Sequence, residues 1–74
     1  MSAIVKRSVA IRGHRTSISL EKPFYEEFER IAGERGLAVA ALVAEIDEGR
    51  AEGTNLSSAI RLFVLEDFRA RQRP

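Results

Sequence analysis

The sequence predicts a mainly α fold, with one or two short N-terminal strands followed by three helices and a sheet completed by a second copy of the chain. Three observations carry this reading. Arg15, Ser17 and Ser19 alternate with Thr16, Ile18 and Leu20, the period of a half-buried strand. Three later stretches place apolar residues at helical spacing, bounded by glycines or capping residues. The chain has 74 residues and no cysteine, so it is short of core and has no disulfide to compensate.

Each element has its own signal. Val5, Arg7, Val9 and Ile11 alternate with Lys6, Ser8, Ala10 and Arg12, and Gly13 separates this run from the next. Residues 1–13 are therefore a basic arm or an extra strand. Pro23 suits the first turn of a helix over about residues 22–35. Phe24, Phe28, Ile31 and Ala32 form its apolar stripe, and Gly36 is its C-cap. A second helix over about 38–48 carries Val39, Leu42, Val43 and Ile46. Residues 49–55 form a polar linker. Thr54 or Asn55 caps a third helix, whose buried face holds Leu56, Ile60, Phe63 and Val64 and extends toward Phe68, before a fraying tail from Arg69 to Pro74.

A lone strand leaves backbone donors and acceptors unpaired on both edges. Two solutions are open: residues 5–11 fold back on it, or the same strand of a second copy pairs with it across a two-fold axis. The second also supplies core, which a hairpin is not expected to do.

Charge is segregated along the chain. Residues 1–20 carry Lys6, Arg7, Arg12 and Arg15 and no acid, whereas residues 21–53 hold nine acids against four bases. A basic N-terminal segment on an acidic body points to one face that meets an anion. Enzyme chemistry is not expected, because the chain has one histidine, His14, no cysteine and no glycine-rich phosphate loop. No cofactor or metal is expected. No apolar run approaches a membrane span, and the N-terminus lacks the order of a signal peptide, so a cytoplasmic protein is expected.

The run Arg15–Leu20, the helix ending at Gly36 and the segment from Leu37 to Ile46 together resemble the ribbon-helix-helix domain of bacterial repressors, over about residues 14–48. The strings Gly13–Glu21, Leu42–Asp47 and Asn55–Arg61 look like a small bacterial family of that fold. The resemblance implies an intertwined homodimer, whose two strands form an intermolecular antiparallel ribbon in the major groove of double-stranded DNA. Arg15, Ser17 and Ser19 would then touch base edges. The dimer core would hold Thr16, Ile18, Leu20, Phe24, Phe28, Ile31, Leu42, Val43, Ile46, Ile60, Phe63 and Val64. The backbone at Ala38 and Val39 would hold a phosphate, although Ala38 stands where the family usually has a polar side chain. Lys6, Arg7, Arg12 and His14 are further phosphate candidates. The third helix exceeds the minimal fold, and is read as extra core or as a surface for a second dimer or a protein partner. The function implied is a transcription regulator, a repressor. The alternative is an antitoxin-like interaction module that uses the third helix.

Overall fold

The computed structural model describes residues 3–72. Five elements follow one another: β1 (Ile4–Ile11), β2 (His14–Glu21), α1 (Lys22–Glu34), α2 (Val39–Gly49) and α3 (Leu56–Arg71). β1 and β2 form an antiparallel hairpin in register from Ile4 opposite Glu21 to Ile11 opposite His14. The ladder runs one step further, where the Lys22 N–H donates to the Ala3 carbonyl at 2.9 Å. The connection is the two-residue turn Arg12-Gly13, with φ of 46° and 83°. Positive φ at both central residues matches the twist of the strands.

The first run is thus a strand, and it pairs with β2 within the same chain. The expectation that such a hairpin adds no core is corrected. Ile11 is 4% exposed and enters the core, and Val9 packs against it. α3 contributes Ile60 and Val64, at 0% and 1% exposure. Together they add apolar surface to the core within one chain.

The core forms where the inner face of the hairpin meets all three helices. Ile18, Leu20, Phe28, Ile31, Leu42 and Val43 are fully buried in it. Thr16 is half-buried, and Phe24, Ile46 and Phe63 pack at its margin. The Phe28 and Phe63 rings meet edge to face at 6.2 Å, a preferred aromatic geometry. Among the described residues, no buried side-chain polar atom lacks a partner.

The helix ends follow the chain's local chemistry. Gly36, at φ 69°, closes α1, and the Leu37 N–H reaches back to the Ala32 carbonyl at 2.9 Å. That is a Schellman end, in which a left-handed residue lets the chain return onto the last turn. Asn55 caps α3 by accepting from the Ser58 N–H at 3.2 Å. α3 continues as helix to Arg71, so the fraying expected from Arg69 onward does not occur before that point. Arg71 holds Asp67 one turn back at 2.8 Å and also pairs with Glu34 of α1. Arg73 and Pro74 lie outside the described residues.

Charged groups pin α1 to α3. Arg30 reaches Glu27 at 2.6 Å, Glu34 at 2.9 Å and Asp67 at 3.1 Å. The Arg30 guanidinium holds the Glu34 carboxyl below its ordinary pKa, and the Arg71 guanidinium does the same for Asp67. Much of the acidity of the helical body is therefore paired within the protein.

Candidate nucleic-acid interface

Strand alternation sorts the hairpin into two faces. Thr16, Ile18 and Leu20 of β2 and Val5, Val9 and Ile11 of β1 turn toward the helices. Lys6, Ser8 and Ala10 share the outer face with Arg15, Ser17 and Ser19. The register sets Lys6 opposite Ser19, Ser8 opposite Ser17 and Ala10 opposite Arg15. All six are exposed except Ser19, which is half-buried. Arg15 donates to the Ser8 hydroxyl at 3.2 Å, across the strands. The outer face thus presents two cations and three hydroxyls on a two-stranded ribbon. Its one acid, Glu21, lies at the far end and is held by Arg61 at 2.8 Å. The hydrogen bond from Arg61 keeps the Glu21 carboxyl ionised below its usual range.

The structure brings together Lys6, Arg15, Ser17 and Ser19 from the residues singled out in the sequence. It adds Ser8, which the alternation of the first run had placed on the same face as Lys6. The other candidates lie elsewhere. Arg7 sits on the inner face, its guanidinium 5.4 Å from the centre of the Tyr25 ring. Arg12 is at the turn, paired with Asp47 of α2. His14 is exposed beside the turn. At the start of α2, Ala38 is extended and no side chain caps the helix. The first N–H groups of a helix have no partner within it, and those of this turn receive no side-chain cap from Ala38.

At the β2 edge α3 makes contacts that no local pattern in the sequence signals. The Ser19 N–H donates to the Ser57 hydroxyl at 3.0 Å, and the Ser19 carbonyl accepts from Arg61 at 3.1 Å. These backbone groups therefore point away from β1, and by alternation so do those of Arg15 and Ser17. β2 is paired by β1 on one edge. On the other, among the described residues, it is capped by α3 at Ser19 and open at Arg15 and Ser17.

A two-stranded ribbon with a cationic and hydroxyl-bearing outer face, leading into packed helices, is an arrangement that β-ribbon proteins use to enter a DNA groove. A family model described as "Ribbon-helix-helix domain" matches residues 4–68, most of the chain. The chain belongs to the ribbon-helix-helix family. Domains of this family are generally non-enzymatic regulatory modules that bind DNA, typically as dimers, which gives this chain a DNA-binding or regulatory role. No curated protein and no solved structure shows significant similarity to it. Among the described residues no helix is long and apolar enough to cross a membrane.

Proposed function

We propose that this chain is a sequence-specific transcription regulator, a repressor, which inserts the outer face of its hairpin into the major groove. The observation that carries the reading is the gathering of Lys6, Ser8, Arg15, Ser17 and Ser19 on one exposed ribbon face. Two strands lie about 4.8 Å apart, so a two-stranded ribbon fits a groove about 12 Å wide. Arg15 is the principal base reader, since its fork spans the two acceptors of guanine. Ser17 and Ser19 donate or accept and so tolerate several bases.

The phosphate contacts are assigned to Lys6, Arg7, Arg12 and His14, and to the backbone N–H groups that follow Ala38, from Val39 onward. A helix N-terminus attracts anions through its free donors and its dipole. The working unit is a homodimer that presents two such faces to a repeated half-site, with pairing of dimers on longer sites. The intertwined pairing of β2 with its twin, expected from the sequence, has to use the edge that is open at Arg15 and Ser17 and capped at Ser19.

The test is a titration of duplex DNA at several salt concentrations. Each phosphate contact adds about 0.9 to the slope of log affinity against log salt. Lys6→Ala is expected to weaken specific and non-specific duplexes alike and to lower that slope by about one contact. A loss confined to one sequence would remove Lys6 from the phosphate role.

The second reading, an interaction module that docks a partner protein on α3, is favoured by one observation. Leu62, Leu65 and Phe68 of α3 are 59%, 43% and 40% exposed. It is compatible with DNA binding by the hairpin.

A further inference from the structure

Arg12 occupies an unusual backbone position. Its φ of 46° lies in the left-handed region, at the first central residue of a turn that favours asparagine, aspartate or glycine. A long side chain held there needs compensation from its surroundings. The compensation is visible on α2: the Arg12 guanidinium pairs with Asp47 and approaches Glu48 at 3.8 Å. The last turn of α2 carries these acids and no base, although a helix C-terminus favours cations. The tip of the hairpin brings the cation that the helix itself lacks.

Asp47 is shared. Arg50 donates to its Oδ1 at 3.1 and 2.7 Å, while Arg12 takes Oδ2. Arg50 also donates to the Thr54 carbonyl at 2.5 Å, which fixes it in the loop before α3. The Asp47 carboxyl, only 14% exposed, is held below its ordinary pKa first by Arg50 and then by Arg12. If Arg12 leaves, Asp47 keeps both hydrogen bonds from Arg50 and is not stranded. The Arg12 side chain is 46% exposed, and ion pairs this open to solvent are weak.

We propose that Asp47 is a positioning residue for the DNA-reading hairpin. It holds Arg12 against α2 in the free protein and yields it to a backbone phosphate when the ribbon docks. The exchange trades a monodentate pair with a carboxylate for a fork onto phosphate, a geometry that suits guanidinium. It ties the tip of the ribbon to the helical body until DNA is present. This inference rests on the DNA-binding reading above.

The test is a double-mutant cycle read by DNA titration against salt, using wild type, Asp47→Asn, Arg12→Gly and the double variant on one duplex. Glycine at position 12 accepts the positive φ, so the turn keeps its shape. Glu48→Gln serves as a control for removing one nearby negative charge. Asp47→Asn is expected to tighten binding about two- to fivefold, with Glu48→Gln well below that. Arg12→Gly is expected to lower the salt slope by about 0.9 and to erase the gain from Asp47→Asn. A gain that persists in the Arg12→Gly background would overturn the exchange, since it would mean only that an acid repels DNA. Weaker binding by Asp47→Asn at unchanged salt slope would overturn it too, by making the clamp part of the binding-competent shape. If neither wild type nor Asp47→Asn binds any duplex, the DNA-binding reading falls, and this inference with it.

Discussion

Cutting the chain after Gly53 is expected to abolish its cooperative unfolding transition. The truncation removes Ile60 and Val64, which lie at 0% and 1% exposure among Leu20, Phe28 and Leu42. Full burial of such side chains stabilises by about 1.5–3 kcal/mol each. It also removes Phe63 from its edge-to-face contact with Phe28, and Ser57 and Arg61 from the Ser19 backbone. A chain of 74 residues has a net stability of about 4–11 kcal/mol, so the two aliphatic side chains alone approach its lower bound. Thermal melts of the full and cut chains, followed by circular dichroism, check this. A truncated chain that melts cooperatively and still binds DNA would return α3 to the role of a partner surface.

Arg15→Ala is expected to erase sequence preference while leaving non-specific affinity largely intact. Arg15 is exposed on the outer face, and among the described residues its side chain has one hydrogen-bond partner, the Ser8 hydroxyl, at 3.2 Å. That single neutral bond is easily exchanged for a base edge. A bidentate contact to guanine discriminates by about 1–3 kcal/mol, a factor of roughly 5–150 per half-site. The ratio of affinities for a selected duplex and a scrambled one measures the change. Equal weakening on both duplexes would assign Arg15 to phosphate instead.

Local chemistry made much of this protein legible in its sequence. The alternation around Ile18 placed Arg15, Ser17 and Ser19 on one face, and the structure keeps them there. The apolar stripes of the helices, the glycine end at Gly36 and the cap at Asn55 were readable because each is set by neighbours within a turn or two. The cis pairing of β1 was less readable. Arg12-Gly13 is a weaker hairpin signal than Asn-Gly, and the partner Arg12 meets, Asp47, lies 35 residues away. Ile11 was seen in the alternation but not as core, because its burial depends on how α2 packs against β1 beside the turn. The cap that α3 places on the β2 edge spans about 40 residues through Ser57 and Arg61, and periodicity carries no trace of such contacts. Arg7 shows a related limit: its charge was legible, but its stacking over Tyr25, eighteen residues on, was not. The persistence of α3 to Arg71 likewise depends on Glu34 of another helix as well as on Asp67.

Guanine-methylation interference on a duplex selected by the protein tests the claim that the hairpin face reads the major groove. Methyl groups at guanine N7, on the floor of that groove, are expected to block wild-type binding at symmetry-related positions and to lose their effect with Arg15→Ala. Interference confined to minor-groove adenine N3 or to alkylated phosphates, with guanine N7 silent, would contradict it.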